Sequence, residues 1–351
     1  MSSALPAKIG RYRILGELGR GAMGVVYRAE DPMLNRPVAI KTILMSADPE
    51  VRAEYEKRFY QEAKAAGGLN HPNLITIHDI GREGDIVYMA MELLEGVELR
   101  EMMQRGRIEL PLALDILAQV ADGLAYAHEH GVVHRDIKPS NVMVLPGQRA
   151  KVMDFGIARM RASDIKTQTG AVVGSPKYMS PEQVKGTVAD GRSDIFSLGI
   201  MLYEIAAGSA PFSAPDTAQF MHQIATATPP PPSALNERLP RVLDLIVARA
   251  LEKDPEARYQ SAAEMAADLR SCLALQPATG IDTTLDFDLG LTTTAAARST
   301  TSAQKKIDTR TLKLAPIAPG AEASLHLPLS RRFDSTAGLE KLAKLARRAK
   351  R

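Results

Sequence analysis

Residues 134–141 read HRDIKPSN, and this stretch decides how the rest of the chain is interpreted. It places a histidine, an arginine, an aspartate, a lysine and an asparagine within eight positions, between two apolar runs. A solvated turn seldom concentrates so many chemically different side chains at this spacing. The pattern therefore predicts a functional loop in which Asp136, Lys138 and Asn141 act together.

Two further motifs follow this loop in a fixed order. MDFG at residues 153–156 comes after the strand-like run AKV, and SPE stands at residues 180–182. Each is common by itself. Their distances from HRDIKPSN indicate that the three motifs belong to one site.

A glycine-rich stretch lies near the start of the chain, GRGAMG at residues 19–24. In a dinucleotide-binding unit a GxGxxG pattern opens a helix, but here the run VVYRAE alternates like a strand. The glycines are therefore predicted to close a hairpin whose backbone N–H groups can approach phosphates. The same observation disfavours a dinucleotide-dependent oxidoreductase.

The next strand-like run, VAIK, ends in Lys41. Three apolar residues precede this lysine, which indicates a partly buried ammonium group that needs an anion. Glu62 lies on the following predicted helix, residues 50–67, and is the candidate for that anion.

Composition and charge exclude several classes of protein. Of the 351 residues, 45% are hydrophobic and 24% charged, as in ordinary globular proteins. The only cysteine, Cys272, cannot form an intrachain disulfide, which is typical of a reducing compartment. No signal peptide or apolar run of about 18 residues is evident, so we expect a cytoplasmic protein without a transmembrane span.

The charge distribution argues against nucleic acid as a partner. The net charge is +3, but 13 of the 44 basic residues and only 7 of the 41 acidic residues lie from residue 272 onward. The rest of the chain is therefore slightly acidic, whereas a nucleic-acid-binding domain usually carries a basic face.

The order of predicted elements indicates an α+β fold with two lobes. Strand-like runs dominate up to residue 93, and helical patterns follow at residues 111–131, 192–208, 240–254 and 261–275. We therefore predict a small β-rich lobe of residues 10–93 and a larger helical lobe of residues 94–275. The Ser-, Thr- and Ala-rich residues 276–351 are predicted to be a low-complexity, mostly disordered basic tail.

With these motifs in this order, the chain resembles the eukaryotic-like (Hanks-type) serine/threonine protein kinases of bacteria over roughly residues 10–275. The stretches GAMGVVYRAED, GVVHRDIKPSNVM and SPEQ carry the resemblance. It implies a two-lobed kinase fold that uses ATP with Mg²⁺, or alternatively Mn²⁺. It also implies transfer of the γ-phosphoryl group to serine and threonine hydroxyls of protein substrates.

The resemblance also implies a role for each matching residue. Asp136 would orient the acceptor hydroxyl and take its proton, Lys138 would stabilise the γ-phosphate, and Lys41, oriented by Glu62, would hold the α- and β-phosphates. Asn141 and Asp154 would bind the metal ion. Matching nucleotide-binding positions are Leu18, Gly19, Gly21, Gly24, Val26, Ala39, Lys41, Met91, Glu92, Leu94, Glu98 and Met143.

The resemblance gives three supporting positions as well. Glu182 and Arg258 match an ion pair that braces the large lobe, and Asp194 matches a buried carboxylate that holds the catalytic loop. His134 and Phe155 match an apolar column next to the site.

The threonines of KTQTG, residues 166–170, lie in the segment that protein kinases use as a switch. In similar bacterial kinases a Thr-x-Thr pair here is autophosphorylated, so Thr167 and Thr169 are the predicted regulatory phosphosites. Arg135 and Arg159 match the cationic pocket that pairs with such a phosphate. Ser175 stands where the family more often has threonine and keeps the hydroxyl.

Two alternatives and several partners follow from the same residues. A pseudokinase scaffold would lack Lys41, Asp136, Asn141 or Asp154, and all four are present; a small-molecule kinase usually lacks the SPE segment and the threonine-bearing loop. Besides protein substrates, we consider a phosphothreonine-binding partner of the tail. Members of the family can also form a homodimer through the small lobe.

Overall fold

The computed structural model describes residues 5–21, 24–43, 60, 63–64, 66–84, 86–155 and 176–275. Contacts divide the chain into a compact unit, Met1–Leu285, and a second unit, Asp286–Arg351. The second unit and the whole predicted tail lie outside the described residues. Its predicted disorder therefore stays a prediction.

The small lobe is an antiparallel six-stranded sheet, as the alternating sequence predicts. Its order is β1-β2-β3-β4-β6-β5. The strands are β1 (Lys8–Ile9), β2 (Tyr12–Gly21), β3 (Gly24–Asp31), β4 (Arg36–Ile43), β5 (Ile77–Glu83) and β6 (Ile86–Glu92). Buried positions alternate along β3 because its side chains point to opposite faces of the sheet.

The helix predicted over residues 50–67 is only partly described. Tyr60, Ala63, Lys64, Ala66 and Gly67 are helical. Glu62 and the other residues of this range lie outside the described residues.

The large lobe is mainly helical. Its helices are α1 (Leu99–Arg105), α2 (Leu110–Glu129), α3 (Pro181–Lys185), α4 (Gly191–Ala207), α5 (Thr217–Thr226), α6 (Pro232–Leu235), α7 (Arg241–Ala250) and α8 (Ala262–Ala274). Three short strands, β7 (Val97–Glu98), β8 (Val142–Leu145) and β9 (Arg149–Val152), form a second sheet in that order. The predicted α+β fold with two lobes is confirmed.

Local sequence determines where several of these helices begin and end. Ser180 and Gln183 form a reciprocal capping box at α3, and Asp190 and Ser261 accept backbone hydrogen bonds at the starts of α4 and α8. Helix α4 ends at Ala207, and the following Gly208 has a φ of 76°, which suits glycine.

Helices α2 and α4 form the centre of the large lobe. Helix α2 is the one helix in the described part of the chain that could cross a membrane by length and composition, with a hydropathy of 1.3. A core helix passes the same test, and 11 of the 20 residues of α2 are buried against the rest of the lobe. It contacts α4, α8 and β9, so its apolar character is explained by the core.

Candidate active site

The loop with the sequence HRDIKPSN is held from below by a buried carboxylate on α4. Asp194 accepts backbone hydrogen bonds from His134 N at 2.8 Å and from Arg135 N at 2.7 Å. Arg135 has a φ of 63°, a costly conformation for a residue other than glycine. The two hydrogen bonds stabilise this turn, so Asp194 holds the loop as predicted.

His134 connects the loop to the MDFG segment. Its Nδ1 accepts from Asp136 N at 3.2 Å, and its Nε2 lies 2.8 Å from the carbonyl oxygen of Met153. The two partners assign the proton to Nε2, which donates to that carbonyl. The His134 ring packs against Phe155 at a centroid distance of 4.9 Å, so the predicted apolar contact is present.

Three polar side chains of the loop converge. Lys138 Nζ lies 2.8 Å from Asp136 Oδ2, and Asn141 Nδ2 donates to the backbone oxygen of Asp136 at 2.8 Å and to its Oδ2 at 3.3 Å. The Asp136 side chain is 16% exposed. This arrangement fixes a partly buried carboxylate with a cation beside it.

Asp154 and Lys41 meet across the two lobes. Lys41 Nζ on β4 forms an ion pair with Asp154 Oδ1 at 2.7 Å, and the Asp154 side chain is 43% exposed. Asp154 has a φ of 51°, the second strained backbone in this region. Met153 N donates to the carbonyl oxygen of Asn141 at 2.8 Å, which joins the MDFG segment to the HRDIKPSN loop.

The glycine-rich stretch closes a hairpin between β2 and β3, as predicted. Gly21 pairs with Gly24, and Gly19 pairs with Val26. A Cβ added at Gly19 would meet no described heavy atom within 4 Å. The hairpin therefore leaves room for a ligand close to its backbone.

An apolar cluster lies between the lobes. Ala39, Ile75 and Met91 are its buried members, and Val26, Leu93, Leu94 and Met153 pack around them. Four of the predicted nucleotide-binding residues, Val26, Ala39, Met91 and Leu94, are thus brought together. These side chains supply an apolar surface of the kind that packs against the flat faces of a nucleotide base.

The other predicted nucleotide-binding residues lie on neighbouring elements. Glu92 ends β6. Met143 on β8 pairs with Glu98 on β7, where Glu98 is the residue before α1. Leu18 on β2 is 51% exposed and is not a member of the apolar cluster.

The donor set near Asp154 fits a magnesium ion. Among the described residues no group of three or more His, Cys, Asp or Glu side chains could hold a metal. Mg²⁺ usually takes one or two protein oxygens together with phosphates and water. The Asp154 carboxylate and the amide oxygen of Asn141, whose nitrogen contacts Asp136, supply hard oxygen donors of this kind.

A buried ion pair braces the large lobe next to the site. Arg258 Nη1 lies 2.8 Å from Glu182 Oε1, and Ser193 Oγ donates to the same oxygen at 2.6 Å. Burial alone would raise the pKa of Glu182, but hydrogen bonds from Arg258 and Ser193 outweigh it and lower this pKa. The predicted brace is therefore present.

Several site residues were not predicted from the sequence. His128 Nε2 lies 2.8 Å from Asp194 Oδ2, and Lys151 on β9 pairs with Glu92 at 2.7 Å. Ile75 and Met153 join the apolar cluster. Met153 alone had a local signal, its place directly before Asp154.

Part of the predicted regulatory site is not described. Thr167, Thr169, Arg159 and Ser175 lie outside the described residues, as does Glu62. Of the predicted phosphate pocket only Arg135 can be located, and its carbonyl oxygen accepts from Gln183 Nε2 at 2.8 Å.

Comparisons with known proteins agree with this geometry. A family model described as "Protein kinase domain" matches residues 12–269. The chain is 42% identical over 275 residues to a probable serine/threonine-protein kinase of Streptomyces coelicolor and covers 41% of it. It is 41% identical over 266 residues to PknB of Mycobacterium tuberculosis, covering 42%, and 40% identical over 263 residues to PrkC of Bacillus subtilis, covering 40%.

These alignments cover 76%, 74% and 75% of this chain, respectively. The chain spans about two fifths of the length of these curated relatives. Among solved structures, the kinase domain of M. tuberculosis PknI matches with a TM-score of 0.63 at 29% identity. That match covers 78% of this chain and all of the PknI chain.

Proposed function

Because the chain belongs to the protein kinase family, we propose that it transfers the γ-phosphoryl group of ATP to serine and threonine hydroxyls of proteins. The observation that carries the proposal is the convergence of Asp136, Lys138 and Asn141 in one loop. The Lys41–Asp154 ion pair joins the two lobes. The hydrogen bond from Met153 N to the carbonyl oxygen of Asn141 places this pair next to the loop.

The proposed roles follow from the charges that phosphoryl transfer develops. The transferred group passes through a loose, highly charged transition state, so positioning and charge neutralisation dominate catalysis. Asp136 orients the acceptor hydroxyl and takes its proton, and Lys138 stabilises the γ-phosphate. Lys41 holds the α- and β-phosphates once ATP is bound, with Glu62 as its second anionic partner.

The metal ion and the nucleotide would use separate parts of the groove. Asn141 and Asp154 would hold Mg²⁺, or alternatively Mn²⁺, which neutralises phosphate charge when bound. The base would occupy the apolar cluster under Val26 and Ala39, near the backbone of Glu92 and Leu94. The backbone of Gly19, Gly21 and Gly24 would approach the phosphates. Glu98 would contact the ribose, and Leu18 and Met143 would pack against the two faces of the base.

Regulation is proposed to act through the segment between Asp154 and Glu182. Autophosphorylation of Thr167 and Thr169 would add nearly two negative charges at each site. Arg135 and Arg159 would pair with that phosphate, and Arg135 is directly bonded to the loop's support, Asp194.

Partners and organisation complete the proposal. Protein substrates are the acceptors, and a phosphothreonine-binding protein would recognise the Thr-rich tail. A homodimer through the small lobe is proposed from the family resemblance alone. We also propose a cytoplasmic location and a division of the lobes at residues 93 and 94.

The test is phosphoryl transfer from labelled ATP to a general protein substrate, with phosphosite mapping of the chain itself. Asp136→Asn is nearly isosteric and should lower the rate by about 10²–10⁴-fold, because orientation and general-base effects are lost together. Its melting temperature and ATP affinity should stay close to those of the wild type.

Three outcomes would contradict the proposal. Wild-type rates in a folded Asp136→Asn protein would remove Asp136 from its role. Absence of transfer by the wild type with intact ATP binding would indicate a pseudokinase scaffold. Transfer to small molecules but to no protein would indicate the small-molecule kinase.

A second experiment addresses regulation. The double variant Thr167→Ala/Thr169→Ala should lose much more activity toward an external protein than ATP affinity, because phosphate–arginine hydrogen bonds order the substrate-binding segment. Each single variant should lose less if the two sites are redundant. A double variant as active as the unaltered chain would show that the pair is an ordinary polar loop.

A further inference from the structure

We propose that Lys151 is a positioning residue. Its ion pair with Glu92 fixes the linker that begins at the end of β6 (residues 92–94) against β9, the strand that precedes Asp154. The proposal rests on the proposed function and deepens it, since it names a residue that sets nucleotide affinity without touching the reacting atoms. Nothing in the HRDIKPSN, MDFG or glycine-rich motifs includes this lysine.

The geometry around Lys151 joins three separate segments. Its Nζ lies 2.7 Å from Glu92 Oε1 and donates to the carbonyl oxygen of Leu74 at 3.0 Å. The same Glu92 oxygen accepts from Thr76 N at 2.7 Å, and Glu92 N donates to the carbonyl oxygen of Thr76 at 3.0 Å. One ammonium group therefore contacts both the end of β6 and the segment that precedes β5.

The pair is well shielded from water. The Lys151 side chain is 13% exposed and the Glu92 side chain 25% exposed. A shielded ion pair with additional hydrogen bonds is screened little by salt, and loss of either partner leaves a poorly solvated charge. The ion pair is therefore suited to fix the distance between β9 and the end of β6.

The backbone around Lys151 transmits this fixed distance to the site. Val152 N donates to the carbonyl oxygen of Asn73 at 2.8 Å, and Ile75 N donates to that of Val152 at 2.9 Å. Lys151 also pairs with Met143 across β8 and β9. Asp154 follows Lys151 by three residues, so the base-binding backbone and the metal ligand are tied to one another through this strand.

The consequence concerns binding rather than chemistry. The backbone of Glu92 would contact the base, while Asp154 would contact the metal–phosphate end of the same ligand. When Lys151 no longer fixes the spacing, the linker must become ordered as the nucleotide binds. The apparent dissociation constant then equals the intrinsic one divided by the fraction of molecules whose linker is already ordered, so affinity falls. Once ATP is bound, the catalytic loop around Asp136 is unaltered.

The experiment measures nucleotide binding and activity of Lys151→Met, Glu92→Gln and the double variant in the 351-residue chain. Glu92→Gln keeps the backbone and nearly the shape of the side chain, so it tests the charge contact even if Lys151→Met folds poorly. Each single variant should raise the KM for ATP and the dissociation constant of a fluorescent ADP analogue by about tenfold, equal to roughly 1.4 kcal/mol. For Lys151→Met, the kcat at saturating ATP and the KM for the protein acceptor should be unchanged.

Two further readouts separate positioning from a general loss of stability. The double variant should bind the ADP analogue about as weakly as either single variant, because both changes remove one interaction. Lys151→Arg keeps the positive charge and should bind the ADP analogue much more tightly than Lys151→Met does. Arg270→Met, which breaks the Arg270–Asp122 pair between α8 and α2, is the matched control and should bind nucleotide normally.

The results distinguish this inference from the proposed function. A wild type that neither binds nor uses ATP overturns the proposed function, and the inference with it. A wild type that binds ATP, with unchanged affinity in Lys151→Met and Glu92→Gln, overturns only the inference. Independent, additive losses in the double variant would also overturn it, since the two residues would then not act as a pair.

Discussion

Lys253 places an ammonium group in half-buried, largely apolar surroundings of the large lobe. Its Nζ donates to the carbonyl oxygen of Ile224, near the end of α5, at 2.8 Å. It lies 4.2 Å from the ring centroid of Phe212 and 5.1 Å from that of Phe196. Burial, together with repulsion from Arg258 and Lys185, lowers the pKa of Lys253 from 10.5 to about 8, against a smaller opposing effect of Glu252.

This lowered pKa predicts a specific pH dependence of stability. Between pH 8 and 10.5 the unfolded chain keeps the proton on Lys253 while the folded chain loses it. The unfolded state then binds more protons, so this residue makes the free energy of unfolding rise with pH across that window. Below pH 8 both states are protonated and the contribution is constant.

Lys253→Met should therefore change the pH profile as well as the stability. Urea unfolding at pH 7, 8, 9 and 10 gives the free energy of unfolding of both proteins. The difference, wild type minus variant, should become more positive from pH 8 to pH 10, because the variant lacks the titrating amine. A difference that is constant or that decreases over this range would contradict the lowered pKa.

Helix α3 shows how one buried pair holds a short element in place. This helix spans only Pro181–Lys185, too short to be stable by itself. Its Glu182 is bonded to Arg258, whose guanidinium also donates to the backbone oxygens of Arg192 and Glu252 at 2.6 and 3.1 Å. The helix is thereby tied to α4 and to the loop before α8.

Arg258→Met should destabilise the large lobe strongly. It leaves the Glu182 carboxylate buried without its cation, and breaking one partner of a buried pair costs about 3–5 kcal/mol. The double variant Arg258→Met/Glu182→Met should lose less than the sum of the two single losses. Urea unfolding measures all three, and a loss below about 1 kcal/mol for Arg258→Met, as for a surface pair, would contradict the argument.

The elements differ in how well the sequence predicts them. Helices α2, α4, α7 and α8 were predicted because each buries at least four residues, which gives its sequence a distinct apolar pattern. Helices α1, α3, α5 and α6 were not predicted. Helix α6 has four residues, which is too few to show a helical period, and α5 buries only Ile224.

The site shows the same division between local and distant information. Asp136, Lys138 and Asn141 are close in sequence, and their convergence could be predicted from spacing. The Lys151–Glu92 pair joins residues 59 positions apart, and the His128–Asp194 contact joins residues 66 apart. Such pairs depend on the tertiary fold, about which local periodicity carries no information.

At the scale of the whole molecule, the two lobes are connected by more than the linker after β6. The segment at Asn73–Thr76, which precedes β5, bonds to β9 through backbone groups and through Lys151. Asn73 Nδ2 adds hydrogen bonds to the carbonyl oxygen of Ala150 at 2.8 Å and to Gln119 Oε1 at 3.1 Å. The small lobe is therefore anchored to α2 and β9 on the side of the groove that holds Asp154.

The position at which the described fold ends predicts that the tail is dispensable for phosphoryl transfer. The described core ends with α8, at Ala274, and the family match ends at residue 269, so every residue with a proposed catalytic role precedes the tail. A chain truncated after residue 276 should keep its melting temperature, its affinity for ATP and its rate of phosphoryl transfer. It should lose binding to a phosphothreonine-recognition domain, because it lacks the threonines of residues 279–301. The 351-residue chain with Thr→Ala changes confined to residues 279–301 is the matched control and should lose the same binding. If truncation alters the transfer rate, the tail contributes to the active lobe arrangement; if neither chain loses binding, the tail is a solvated linker.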